Sequence, residues 1–185
     1  LGWNHRWEYD KAPERFFDAL IRLRDRGCDF RVHILGQRFR RYPESFDRAR
    51  RALSGYIGQW GPVDDAGDYR RLLQQSHVVV STALHDFQGL AVLEAAAAGC
   101  VPVVPDRLAY PEYFGAEFRY LSRPEAPEQE AAALADHLAV LADRFAGDGL
   151  PPAPDLSPLG WAALKNDYQQ VLTRAAGGDG QVCSR

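Results

Sequence analysis

Residues 77–104, HVVVSTALHDFQGLAVLEAAAAGCVPVV, decide the fold. HVVVST (77–82) is a continuous, largely β-branched run, the pattern of a strand covered on both faces of a parallel sheet. The turn DFQGL follows, then an alanine-rich helix from about Gly89 to Ala98, then a second apolar strand at VPVV (101–104). Strand, short helix and strand in this order make one parallel crossover unit.

The alternation extends to both sides. PERFFDALIRLRDRGCD (13–29) predicts a helix: Pro13 suits the first helical position, Phe16, Phe17, Leu20, Ile21 and Leu23 form an apolar stripe, and Gly27 is placed to end it. FRVHILG (30–36) alternates like a strand, a helix is expected within 43–53, a strand at YIGQW (56–60) and a helix at DDAGDYRRLLQQS, whose apolar side is Tyr69, Leu72 and Leu73. A last strand is expected at 117–120. Five short alternations of this kind predict an α/β fold, a Rossmann-like parallel sheet flanked by helices with right-handed crossovers. Beyond residue 121 the pattern turns helical, with Leu134, Leu138, Leu141 and Phe145 in register. A Pro-rich loop, LPPAPDLSP, then precedes a final helix, WAALKNDYQQVLTRA. The expected organisation is one domain over 1–174 and a flexible tail over 175–185.

With 185 residues and 46% apolar content, the chain can bury one good core. No apolar run approaches the roughly 20 residues of a membrane span, and LGWNHRWEYD lacks the regions of a signal peptide. Cys28, Cys100 and Cys183 have no C-x-x-C spacing, which points to buried or idle thiols in a reducing cytoplasm. There is no Met, and the first residues already read as the end of a strand, so a piece of a longer chain is expected. Residues 11–51 hold Lys11 and eleven Arg against six acids, whereas residues 124–156 hold seven acids and only Arg144. Such asymmetry suits either a polyanion partner or solvated helix faces.

In open α/β sheets ligands collect beyond the carboxyl ends of the strands. Four places in this sequence qualify: residues 3–11, the turn after Gly36, GPVDD (61–65) and DFQGL (86–90). At the last, Gly89 would let a ligand approach the backbone, and the free amides of residues 88–91 would attract an anion. Asp86 and Glu94 would repel that anion but can accept hydrogen bonds from hydroxyl groups on either side of it. A pyrophosphate seat flanked by two carboxylates describes a nucleotide-sugar. The plainer alternative is that Asp86 caps the helix and Glu94 sits on a wet face.

RWEYDK (6–11), ILG (34–36), WGPV (60–63) and DFQGLAVLEAAAAGCVPVV (86–104), each at a strand end and in this order, resemble the C-terminal half of a GT-B glycosyltransferase of the family-4, retaining kind. The resemblance spans residues 1 to about 174 and includes a Trp161 helix similar to the one that crosses back to the N-terminal domain. It implies that Arg6 and Lys11 grip the donor diphosphate, that the backbone of Gln88, Gly89 and Leu90 binds the phosphate nearest the sugar, and that Asp86 takes the transferred hexose. It further implies Glu94 at the ribose, Val63 near the base, and Gly36 at the strand end beside them. Asp86 stands where the family usually has Glu, a reach shorter by about one methylene.

NHRWEYDKAP (4–13), STALHDFQG (81–89) and RLAYPEYF (107–114) add a narrower likeness, to the glycosyltransferase-like group that mannosylates queuosine in tRNA. This would link the donor to GDP-mannose, the acceptor to tRNA, and His5 and His85 to the donor, with a buried structural role for His85 equally open; Tyr110, Pro111 and Glu112 would shape the adjoining loop. The resemblance implies no metal and no cofactor beyond the donor substrate. It also implies a missing N-terminal Rossmann-like domain as partner, so that residues 1–185 alone should bind donor weakly and transfer nothing. Scattered histidines, the lack of a D-x-D arrangement at Asp64-Asp65 and the absence of G-x-S-x-G argue against metal-dependent transfer and serine hydrolysis. A nucleotide-sugar epimerase of the same fold and a non-catalytic nucleotide-binding module remain as other readings.

Overall fold

A computed structural model describes residues 1–177. Six parallel strands, β1 (Gly2–Trp3), β2 (Val32–Ile34), β3 (Ile57–Trp60), β4 (Val78–Val80), β5 (Val101–Pro105) and β6 (Arg119–Tyr120), form one sheet in the order β3-β2-β1-β4-β5-β6. The helices between them are α1 (Pro13–Asp25), α2 (Ser45–Ala52), α3 (Ala66–Gln75), α4 (Leu90–Ala97) and α5 (Tyr110–Tyr113). After β6 comes α6 (Pro127–Ala146). The expected strands and long helices are all present. The one-turn α5 was not foreseen, because four residues are too few to show a helical period.

β4 is buried along its whole length, as its β-branched composition requires, and lies in register with β5 through Val78–Val101 and Val80–Val103. β1 pairs with β2 on one side and β4 on the other. The chain therefore winds outward from β1 to β3, returns through α3, and winds outward again from β4 to β6. The reversal falls between the loops that leave β1 and β4, the crevice position at which open α/β sheets bind their ligands. α1 packs against α2 and α6, and α4 packs against β4 and β5.

The chain divides into two compact units, Leu1–Pro154 and a second beginning at Asp155. In the second, the Asp155 carboxylate accepts hydrogen bonds from the Ser157 amide and hydroxyl, both at 2.9 Å, ahead of α7 (Trp161–Gly177). Residues 175–177 continue α7; the rest of the expected tail, with Cys183, lies outside the described residues. No helix among the described residues is long and apolar enough to cross a membrane.

One buried carboxylate ties the layers together. Glu130, 0% exposed at the start of α6, meets Arg15 of α1 at 2.9 Å and Arg107 at 2.7 Å, and accepts the Arg123 amide at 2.7 Å. Burial pushes its pKa up, but the hydrogen bonds from Arg107, Arg123 and Arg15 outweigh this and hold it below the ordinary value. Arg107 also reaches the carbonyls of Ala83 (2.9 Å) and Thr82 (3.0 Å), so the same network fixes the segment leaving β4. Replacing Glu130 by Ala leaves two guanidinium groups facing each other without a counter-charge. The expected loss is about 3–5 kcal/mol of unfolding free energy, measurable by urea denaturation; a change below about 1 kcal/mol would show that the network is dispensable.

Candidate functional site

Trp7 anchors the loop that leaves β1. Its ring is buried, stacks on Phe46 with centroids 4.2 Å apart and meets Trp60 edge-on at 5.5 Å. Its indole N–H donates to the Leu35 carbonyl (3.3 Å) and its backbone amide to Gln37 (3.0 Å). A single 3-10 turn, Tyr9–Lys11, follows. Ala12 then takes a left-handed conformation, φ 44°, which reverses the chain into α1 and turns Lys11 toward β4. A non-glycine residue there stores strain of order 1 kcal/mol, supported by its complete burial. From the β2 side, Gly36 presses against the same loop: a Cβ at this position would lie 2.0 Å from the His5 carbonyl oxygen. Only glycine permits that approach.

The loops from β1 and β4 are stitched together. Leu84 and His85 both donate their amides to the Asp10 carbonyl, at 2.8 and 3.3 Å, and the Thr82 hydroxyl donates to the Lys11 carbonyl at 2.8 Å. The Lys11 ammonium, on a side chain only 8% exposed as a residue, donates to the His85 carbonyl and lies 3.2 Å from Asp10 and 3.9 Å from Asp86. Asp86 accepts the Gly89 amide at 3.0 Å, so one of the four amides expected to face a ligand is already used. The Leu90 and Ala91 amides, in the first turn of α4, have no intrahelical acceptor. Gly89 itself, φ 65°, passes directly over the Tyr110 ring; a Cβ would come within 2.7 Å of it. Tyr110 in turn shares a 2.7 Å hydrogen bond with Ser81 at the end of β4.

A second set of contacts leads from β1 to the far side of α4. The Asn4 side-chain amide donates to Ala91 O (2.7 Å) and to the Tyr69 hydroxyl (3.2 Å), and Tyr69 donates to Glu94 (3.1 Å). Asn4 Oδ1 and His5 Nε2 are buried with no hydrogen-bond partner. His5, 3% exposed, lies edge-on to Trp3. Burial drives its pKa down to about 4; Asp86 and Asp10 oppose the shift and Lys11 adds to it.

The structure thus brings Lys11, Asp86, His5, Gly36, Gly89 and Leu90 to one edge, with Glu94 attached through Tyr69. Arg6 is not drawn in: its side chain is exposed and pairs with Glu8 at 3.0 Å. His85 contributes its carbonyl while its side chain faces solvent, as does Gln88, and Val63 is half-buried in the turn after β3. Asn4, Asp10, Trp7 and Tyr69 were missed as site residues. Tyr69 had a signal: it stands in the first turn of α3, at the carboxyl edge of the sheet, yet its spacing with Leu72 and Leu73 reads as core.

The sequence profile described as "Glycosyl transferases group 1" matches residues 2–141. A tRNA-queuosine alpha-mannosyltransferase of Drosophila melanogaster is 39% identical over 120 residues, covering 65% of this chain and 32% of its own length. The chain thus spans about a third of that curated relative. Among solved structures, the C-terminal domain of a group 1 glycosyl transferase (LpcC) from Francisella tularensis superposes with a TM-score of 0.63 at 20% identity, over 90% of this chain and 84% of its own. The pneumococcal O-GlcNAc transferase GtfA, solved with UDP and GlcNAc, gives 0.61 at 12% identity, over 95% and 36%. Identities this low speak to the fold alone, which is that of a GT-B C-terminal domain.

The burial of His5 has a titration consequence. A folded-state pKa near 4, below the unfolded value near 6.5, means that the unfolded chain binds the proton first as pH falls. The His5 contribution to stability is therefore fully present above about pH 6.5 and is lost progressively down to about pH 4. Imidazole nitrogen shifts followed by NMR should show His5 neutral at pH 5.5; a midpoint near 6.5 would contradict the buried, neutral ring.

Proposed function

Because the chain belongs to the group 1 glycosyltransferases, we propose that the crevice between the β1 and β4 loops holds the diphosphate of a nucleotide-sugar, the donor in a retaining hexosyl transfer. One observation carries this reading: an enclosed ammonium, Lys11, and the open amides of the first turn of α4 sit on two loops sewn together at the point where strand order reverses. Cation and amides together suit a dinegative group better than either would alone.

The roles follow from distance to that seat. Lys11 neutralises the diphosphate and the charge that grows on it as the sugar leaves. Gln88, Gly89 and Leu90 present backbone to the phosphate next to the sugar. Arg6 reaches the outer phosphate by leaving Glu8, an exposed pair worth about 1 kcal/mol or less. Asp86, held by the Gly89 amide and only loosely paired with Lys11, keeps lone pairs for a hexose hydroxyl. Glu94 accepts from the ribose, Val63 borders the base, and His5, whose buried Nε2 meets no protein partner, lies near the donor. The diphosphate departs from a sugar with oxocarbenium character while an acceptor hydroxyl attacks from the same face, and no nucleophile is assigned among the described residues.

Likeness to the Drosophila protein extends the proposal to mannose as the sugar and queuosine in tRNA as the acceptor, and the sequence resemblance adds GDP as the carrier. The acceptor side and closure over the donor would come from the part of the relative that this chain does not span.

Thermal-shift titration of residues 1–185 with GDP, UDP and ADP tests the donor seat. GDP should raise the melting temperature saturably, and Lys11→Ala should weaken its binding by about tenfold or more. No shift with any of the three would sink the reading, and a preference for UDP or ADP would redirect the sugar and acceptor. In the protein that carries this chain, Asp86→Ala should lower mannosyl transfer about a hundredfold while nucleoside diphosphate binding changes little.

A further inference from the structure

Glu94 is the end of a hydrogen-bond chain whose direction the structure determines. Asn4, buried at the carboxyl end of β1, gives one amide hydrogen to Ala91 O, which can only accept, and so its nitrogen rather than its oxygen faces Tyr69. The Tyr69 oxygen therefore accepts from Asn4, and its single hydrogen goes to Glu94 Oε2. Burial and the neighbouring Glu94 push the Tyr69 pKa up, against the opposing Asn4 hydrogen bond, so the phenol keeps this hydrogen at neutral pH. Three elements, β1, α3 and α4, thereby determine where one oxygen of an otherwise exposed carboxylate sits. A free Glu on a helix surface would sample several rotamers, and each would have to be given up on binding.

We propose that Tyr69, held by Asn4, is a positioning residue that aims the Glu94 carboxylate at the ribose hydroxyls of a nucleoside diphosphate and so makes the site selective for ribonucleotides over forms lacking those hydroxyls. The inference rests on the reading of Glu94 as the ribose acceptor. With Oε2 tied to the phenol, Oε1 has no hydrogen-bond partner among the described residues, and a sugar lacking hydroxyls would leave this oriented charge unpaired.

The test is isothermal titration of residues 1–185 with GDP and with 2′,3′-dideoxy-GDP, the UDP and ADP pairs run alongside. Wild type should prefer GDP by about tenfold or more. Tyr69→Phe, which removes only the hydroxyl, should weaken GDP about three- to tenfold and leave the dideoxy form within about twofold, so that the preference collapses. In a Glu94→Gln background the Tyr69→Phe change should add nothing. Equal weakening of both nucleotides would assign Tyr69 a merely structural role and overturn the proposal, as would an effect that persists without Glu94. Wild type that binds GDP and its dideoxy form equally would refute the ribose role while sparing the diphosphate seat. Failure of wild type to bind any of the nucleotides would bring down both.

Discussion

The site depends on a single enclosed cation. Lys11 lies on the loop after β1, yet every hydrogen-bond or ion-pair partner of its ammonium among the described residues, other than Asp10, belongs to the loop after β4, more than seventy residues further on. An ammonium so placed must be neutralised and hydrogen-bonded. The His85 carbonyl and two carboxylates do this unequally, Asp10 closely and Asp86 loosely. That inequality matters chemically. Asp10 compensates the buried charge, which leaves Asp86 able to bond to something else without stranding Lys11. Two acids beside one lysine would be redundant as counter-charges alone; the geometry divides their work.

Holding both loops rigid falls to groups behind them. On the β1 side, Trp7 is nailed into an aromatic cluster with Phe46, Trp60 and Phe17, whose rings also come from α1, α2 and β3. On the β4 side, Arg107 grips two successive carbonyls, and its tie to Glu130 extends the restraint to Arg15 in α1. The left-handed Ala12, fully buried, follows the Trp7 anchor and opens α1. The rigidity has a functional counterpart: a seat whose amides and cation are aligned beforehand loses little of its interaction to reordering.

What the sequence made legible follows from the range of the interactions. β4 announces itself because burial on both faces demands a run of β-branched residues, and α4 because a glycine after an acidic turn opens an alanine-rich segment. Local chemistry of that kind is written in adjacent letters. The strand order was readable only as an alternation, yet that was enough to bring Gly36, Lys11 and Gly89 to one edge. The relay from Asn4 to Glu94 was not readable, since its members belong to three elements and Tyr69 occupies a position that an apolar stripe explains equally well. Arg6 illustrates another limit: the resemblance implied that it joins Lys11 at the donor, a role the structure leaves open, with the exposed guanidinium paired to Glu8.

The arginine excess of residues 11–51 can be weighed in the same terms. Several of these side chains already have work within the fold: Arg15 meets Glu130, Arg24 pairs with Asp25 and caps the Ala52 carbonyl, and Arg26 reaches Asp136. Arg38 lies over Tyr42, and Arg50 lies over Trp60 in the aromatic cluster below the site. Those are packing uses of a planar cation, which a lysine would not serve as well. The charge that such a region offers to a polyanion is accordingly smaller than its composition suggests. Within the crevice itself the balance runs the other way. One lysine held away from water would act on the proposed diphosphate through a lower local dielectric than any of the surface arginines could, so on that proposal the position of a cation governs its effect more than the number of cations does.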